Sequence, residues 1–420
     1  MRGAETNDAP VMPVTATNAT TLDALVAETL ERNPELKFYE AEILAAKGGR
    51  KTAGLLANPE LSGSVGNKTV RGGGLSAEGV AWSVSVMQPF EWPGRLGLRK
   101  AIANRDIELA ELGYARFKIA LAGRVRTLAY GLFAAQEKTA AAREVAERFT
   151  ALREVLVQRD PAGLTPLLET RVIEATELTM QRKASDATLA TQSALLELNQ
   201  LRGIAPDTRF SVSQTHLAFR PAESLETLTA LAHTNNFELR LRAIELAQQG
   251  FRVDLAKNER YPAISVGPSY ASEQAGSERQ GIIGLGVSLP LPLWNRNKGN
   301  IETAVARQMQ AEVSLNVTAR EVERKVIEAA LTYETKLRQM ASWRPDSVEH
   351  FREAAEIADR HYRLGAVQLS VYVELQKQYL EAVESLLDTK KEALEAAQNL
   401  ELLTGLTLPL SSTTTKEEKK

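Results

Sequence analysis

The sequence has no cysteine, four histidines among 420 residues, and an aromatic content of only 5%. Without cysteine, no disulfide, thiolate metal site, cysteine nucleophile or thioether-linked lipid is expected in these residues. An excess of charge of one sign is missing too: 51 Lys+Arg face 53 Asp+Glu, a formal net charge of −2. That balance argues against a nucleic-acid groove, which needs clustered positive charge. No run of about 18 apolar residues occurs, so no helix is expected to span a bilayer, and any membrane role falls to strands. Met1–Thr20 has one early arginine but no apolar stretch like that of a secretion signal. A removed signal, a truncated start and a cytosolic protein are all compatible with that. Hydrophobic residues nonetheless reach 44%, carried largely by Ala, Leu and Val, a composition suited to closely packed helices.

The chain repeats itself. Residues 22–62 lie over residues 225–265 without a gap, with Leu22 over Leu225, Asn33 over Asn236, Leu36 over Leu239 and Pro59 over Pro262. Farther along, Gln88-Pro89 lies over Leu289-Pro290, and Leu198–Gly203 matches Leu400–Gly405. A repeat this long means one structural unit used twice. The expected segmentation is an extended N-terminal segment 1–20, a first repeat 21–215, a second repeat 216–410, and a disordered polar tail 411–420.

Each repeat is expected to begin with a short helix (Leu22–Arg32; Leu225–Thr234) and a second one (Glu35 to about Ala57; Glu238 to about Arg260). A proline then opens two strands, at about 59–67 and 79–89 in the first copy and about 262–272 and 281–291 in the second. Val80, Trp82, Val84 and Val86 alternate with Ala81, Ser83, Ser85 and Met87, the two-residue period of a strand. Asn67–Glu78 and Glu273–Gln280 read as polar loops between the strands. Strands of about 9–11 residues suit a tilted membrane span. Four strands cannot close a barrel and an open edge is not tolerated in lipid, so several chains must share one barrel. A trimer would supply twelve.

A long helical hairpin closes each repeat. Arg95 to Arg159 forms one helix on the order of 97 Å long at about 1.5 Å per residue. A Gly-containing turn and a helix over Pro166–Arg202 follow it. In the second copy the long helix starts at Lys298 and breaks near Trp343–Asp346, where Pro345 cannot continue it. Val373, Leu380, Leu387 and Leu394 recur every seven residues, as a coiled-coil seam requires. In the first copy Arg126 interrupts the Leu112, Ile119, Phe133 series. The expected fold is mainly α with a small β part: a duplicated unit of long helical hairpins plus two β-hairpins.

This arrangement resembles the TolC-like family of outer-membrane efflux channels over nearly the whole chain, from Thr21 to Leu410. Gln88-Pro-Phe-Glu-Trp-Pro-Gly-Arg-Leu-Gly-Leu-Arg99 is similar to the strand-to-helix junction of the heavy-metal, CzcC-like branch. Leu289-Pro-Leu-Pro-Leu-Trp-Asn-Arg-Asn-Lys-Gly-Asn300 is similar to its second-repeat counterpart. The resemblance implies a homotrimer with a twelve-stranded β-barrel in outer-membrane lipid and an α-helical barrel in the periplasm of a Gram-negative cell. It implies the exit duct of a tripartite pump, docked on a periplasmic adaptor and an inner-membrane RND-type transporter, for heavy-metal cations or small toxic compounds. No enzyme, cofactor or nucleic-acid partner is implied. A drug-efflux or type I secretion duct of the same fold is the alternative, and a soluble coiled-coil scaffold is the alternative of another class.

By that resemblance, Gly163, Leu164, Thr165, Arg363, Leu364, Gly365 and Ser370 are candidates for adaptor docking at the tip of the helical barrel. Turn-making alone would also place glycines there. Glu169 and Glu374 stand in register one turn into the returning helices, so threefold repetition would make them acidic rings, if they are not ordinary solvated glutamates. Trp82 and Tyr270, with Trp92 and Trp294 beside the strands, are candidates for the aromatic girdle of a membrane barrel. The histidines and methionines form no cluster at ligand spacing, so no metal site is expected. No nucleophile–base or paired-acid arrangement stands out, so no catalytic residue is expected.

Overall fold

The computed structural model describes residues 19–72, 75–159, 167–213, 217, 219–344 and 346–405. Helices dominate: α1 (Leu22–Arg32), α2 (Pro34–Ala53), α3 (Arg95–Arg159), α4 (Leu167–Arg202), α5 (Leu225–Asn235), α6 (Phe237–Asn258), α7 (Lys298–Ser342), α8 (Ser347–Arg363) and α9 (Leu369–Thr404). The strands are β1 (Ala19–Thr20), β2 (Glu60–Gly72), β3 (Leu75–Phe90), β4 (Ser211–Val212), β5 (Ile264–Ala275) and β6 (Glu278–Ser288). No described helix is long and apolar enough to cross a membrane. The helix break falls where Pro345 stands in the sequence, between α7 and α8.

The chain forms two compact units, and each draws on both sequence repeats. The first comprises Met1–Lys37, Arg116–Asn236 and Val322–Lys420; the second comprises Phe38–Ala115 and Phe237–Glu321.

In the first unit the short helices open with side-chain caps. Thr21 Oγ1 accepts the Ala24 amide at 3.3 Å, and Ser224 Oγ accepts the Thr227 amide at 3.2 Å, occupying amides the first turn leaves unpaired. The core joins α3, α4, α8 and α9 through Val145, Phe149, Leu152, Ile173, Met180, Ala355, Tyr372 and Leu380. The four heptad positions Val373, Leu380, Leu387 and Leu394 are all buried. In the other seam, where Arg126 interrupts the series, Leu112 is buried but Ile119 is exposed. Polar contacts tie neighbouring helices: Thr139 to Thr191 and Thr150 to Glu177 between α3 and α4, Lys138 to Asp388 and Thr127 to Gln398 between α3 and α9. Of the segment 1–20, expected to be extended, the last two residues form β1 and pair in parallel with β4.

The duplication has a structural purpose at the repeat ends. Asn33 Nδ2 donates to the Leu201 carbonyl at 2.8 Å, and its counterpart Asn236 donates to Leu403 at 2.9 Å. Each asparagine thus fastens the last turn of a returning helix to the joint between two short ones. Asn33 Oδ1 also accepts the Glu35 amide at 2.8 Å, capping α2. The returning helices end on glycines with positive φ, Gly203 and Gly405. Asn33→Ala leaves a buried carbonyl and an amide without partners, so it is expected to lower stability by about 1–3 kcal/mol. The midpoint of denaturant unfolding, compared with that of Asn236→Ala, measures this.

Burial keeps the Tyr130 hydroxyl protonated well above the usual tyrosine range, with Asp388 adding to the effect; burial does the same for Tyr372, with Asp359 adding. A pKa raised in the folded state gives stability that is complete below the unfolded value of 10.0 and is lost as pH rises beyond it. The melting temperature is therefore expected to fall as pH passes that value. Tyr130→Phe should flatten the fall; equal slopes in the two proteins would refute this assignment.

In the second unit the four strands form one antiparallel sheet in the order β2-β3-β5-β6. The strands run longer than the sequence suggested. The segment expected as a loop, Asn67–Glu78, is mostly strand, with Lys68 opposite Gly79 and pairing continuing to Gly72 opposite Leu75. Glu273–Gln280 likewise pairs down to Ala275 opposite Glu278, leaving a two-residue reversal at Gly276, whose φ is +62°. The physical reason is that ladder hydrogen bonds join backbones, so a polar segment keeps pairing once its neighbours are in register. Between the paired residues Ser85–Ser269 and Gln88–Val266, Pro268 has no N–H to give. At the adjoining Gly267 a Cβ would stand 1.7 Å from the Val86 carbonyl oxygen, so only glycine fits.

Candidate functional site

The sheet has two faces of opposite character. Strand parity and register place Leu61, Val65, Val80, Trp82, Val84, Val86, Tyr270, Ile283, Leu285 and Val287 on one face. Several are largely exposed, including Val65 at 82% and Ile283 at 85%. Toward the hairpin tips Asn67, Thr69, Glu78 and Arg279 replace the apolar residues on this face. Trp82 and Tyr270 lie together on it, ring centroids 5.4 Å apart. The other face carries Ser62, Ser64, Gly66 and Lys68 on β2, Gly79, Ala81, Ser83 and Ser85 on β3, Ser269, Ala271 and Glu273 on β5, and Gln280, Gly284 and Gly286 on β6. Val70, Met87 and Ile282 interrupt it. Hydroxyls meet in pairs there, Ser62 with Ser85 and Ser64 with Ser83, each at 2.8 Å. One face suits hydrocarbon and the other water, the pattern of a membrane-barrel strand. Within the chain β2 and β6 are the outer strands, each paired on one side only.

The strand-to-helix junction is held by residues of the Gln88–Arg99 motif. Arg95 Nε donates to Asn258 Oδ1 at 3.0 Å, and its Nη2 donates to the carbonyls of Asn258 and Tyr261 at 3.1 and 2.6 Å. A guanidinium there satisfies the carbonyls that the end of α6 leaves unpaired. Arg99 donates to the Leu55 carbonyl at 3.1 Å and pairs with Glu91 at 2.8 Å. Trp92 stacks on Tyr261 with centroids 4.8 Å apart, whereas Trp294 is 93% exposed. In the second repeat Asn297 does the tying, donating to the Ala256 carbonyl at 2.8 Å.

In the first unit the α8–α9 turn is a glycine-terminated helix end. Gly365, with φ +74°, donates to the Tyr362 carbonyl and Ala366 donates to His361, both at 2.9 Å. Arg363, Gly365 and Ser370 line a cavity of about 540 Å³ that also takes in Glu169, Tyr362, Gln368 and Leu369. Leu364 stands clear of it, 76% exposed. Beneath, Tyr372 stacks on Tyr362 at 5.2 Å and meets Phe149 at 5.3 Å. Burial raises the Tyr362 hydroxyl above its ordinary range, and Glu169 adds to that. Glu374 accepts from Gln378 on its own helix at 2.9 Å and is not part of the cavity lining. Gly163, Leu164 and Thr165 lie outside the described residues.

The Lys68–Glu273 ion pair on the polar face, the Arg95 clamp and the Tyr362–Tyr372–Phe149 stack were missed in the sequence. Lys68 and Glu273 fell in segments taken as loops, though the two-residue period continued through both would have put them on the serine face. Among the described residues no group of three or more His, Asp and Glu could hold a metal ion.

The outer membrane efflux protein family model matches the chain twice, over residues 25–203 and 228–406. The chain belongs to that family, and its function is that of an outer-membrane efflux channel. The cobalt-zinc-cadmium resistance protein CzcC of Cupriavidus metallidurans is 25% identical over 309 residues, 73% of this chain and 71% of that protein. The nickel-cobalt-cadmium resistance protein NccC of Alcaligenes xylosoxydans xylosoxydans is 24% identical over 313 residues, 72% and 68% of the two chains. Among solved structures, the Campylobacter jejuni CmeC outer membrane channel superposes with a TM-score of 0.72 at 17% identity, covering 96% of this chain and 93% of that one.

Proposed function

We propose that three copies of this chain close a shared twelve-stranded barrel in the outer membrane and form the exit duct of a tripartite heavy-metal efflux pump. The observation that carries the reading is the four-stranded sheet with one exposed apolar face and two outer strands. In lipid every strand edge must be paired, so β2 of one copy is expected to pair with β6 of the next, head to tail, until the ring closes. Trp82, Tyr270, Trp92 and Trp294 then serve as interfacial aromatics, and the serine-rich face lines the duct.

The helical hairpins belong to the periplasmic part. The α8–α9 turn, with Arg363, Leu364, Gly365 and Ser370, docks the adaptor that links the duct to an RND-type transporter; Gly163, Leu164 and Thr165 are proposed as the matching turn of the first repeat. Glu169 and Glu374 form acidic rings near that end. Heavy-metal cations as cargo are supported by the likeness to CzcC and NccC, the cobalt-zinc-cadmium and nickel-cobalt-cadmium resistance proteins.

The test is the mass of the detergent-extracted protein by light scattering, with detergent subtracted. Three times 46.0 kDa in the outer-membrane fraction is the expected result. A monomer or dimer that needs no detergent would end the reading. Loss of cobalt, zinc or cadmium tolerance on deleting the gene tests the cargo separately.

A further inference from the structure

The serine-rich face of the sheet carries four charged side chains, and two of them, Glu60 and Glu278, lie at strand ends. The two in the interior, Lys68 on β2 and Glu273 on β5, reach each other across β3 and form an ion pair. They meet because β3 offers nothing to block them: Lys68 stands opposite Gly79, and Glu273 opposite Ala81. The neighbouring positions, Gly66 and Ala271, are as small. The interior of this face is therefore neutral in sum, and its one lysine is matched.

We propose that the Lys68–Glu273 pair sets the charge selectivity of the strand-built section of the duct, with Glu273 cancelling a ring of lysines that would otherwise repel cations. The proposal rests on the shared-barrel reading, because only there do three copies place the pair around one lumen. With both partners present the pair itself favours neither sign of ion. Without Glu273, three lysines lose the carboxylate beside them, and an unbalanced ring of this kind selects against its own sign. A cationic cargo would meet a barrier at that level.

The experiment reconstitutes the purified trimer in planar bilayers under a potassium chloride gradient and compares cation-to-anion permeability ratios. Relative to the wild type, Glu273→Gln is expected to shift the ratio severalfold toward anions and Lys68→Gln toward cations. Lys68→Gln/Glu273→Gln is expected to return close to the wild-type value, because it restores neutrality without restoring the pair. Conducting trimers whose ratio is the same in all four proteins overturn the proposal and leave the barrel standing. A second measurement uses the absence of native cysteine: Glu273→Cys is expected to react in intact cells with a membrane-impermeant maleimide, and Val84→Cys on the apolar face is not. Labelling of Val84→Cys alone reverses the two faces and also overturns the proposal. A protein that forms no trimer, or a trimer that does not conduct, fails the barrel or channel reading itself and takes the proposal with it.

Discussion

Gly267→Val is expected to abolish assembly of the channel. The ideal Cβ at this position lies 1.7 Å from the Val86 carbonyl oxygen and 2.8 Å from its carbon, both backbone atoms that no rotamer change can move. Strands β3 and β5 would have to part, and β3–β5 is the seam joining the hairpins of the two repeats. Overpacking usually costs about 1–3 kcal/mol where side chains can yield. Here the obstacle is backbone beside a residue, Pro268, that already forgoes a ladder bond, so the cost exceeds that range. The control is Gly66→Ala, whose added methyl meets nothing within 4 Å. Outer-membrane trimers recovered after expression should be absent for Gly267→Val and undiminished for Gly66→Ala. Equal recovery of both would show that the strands do not make the close approach described.

Tyr372→Ala is expected to cost about 3–5 kcal/mol, the usual range for deleting a large aromatic from a core. Tyr372 is completely buried, stacks on Tyr362 and abuts Phe149, so α9 loses an aromatic contact with both α8 and α3 at one stroke. The loss falls beside the α8–α9 turn, so local opening there should become easier. Two observations should coincide: a lower unfolding midpoint, and faster tryptic cleavage after Arg363. Tyr372→Phe keeps both ring contacts and should stay near the wild type in cleavage rate. If the two variants behave alike, the hydroxyl rather than the ring packing holds the turn.

Much of this molecule was legible because it is written twice. Asn33 and Asn236 first appeared as a coincidence of letters at a fixed offset, and the structure gives them the same partner, a carbonyl in the last turn of a returning helix. Val373, Leu380, Leu387 and Leu394 were readable for a similar reason, since a seven-residue period implies a buried seam whatever surrounds it. Pro345 marked the end of α7 without help from any neighbour, because its ring is incompatible with the helix interior. The limits of the strands were not legible. Polarity was taken to end them, and polarity governs which face a side chain suits, not whether its backbone pairs.

Local chemistry decided what the sequence could determine alone: the duplicated unit, helix lengths and breaks, the alternation of the strands, and the membership these patterns implied. Tertiary structure alone decided which distant residues meet. Lys68 and Glu273 are separated by about 200 residues, and they become partners only because register sets a glycine and an alanine between them. Gly267 looked like any strand glycine until Val86 was set against it, and Arg95 looked like an ordinary first-turn residue until the end of α6 arrived beside it. Periodicity is a property of neighbours along the chain, whereas register, clamps and ion pairs depend on which strand or helix end is brought alongside.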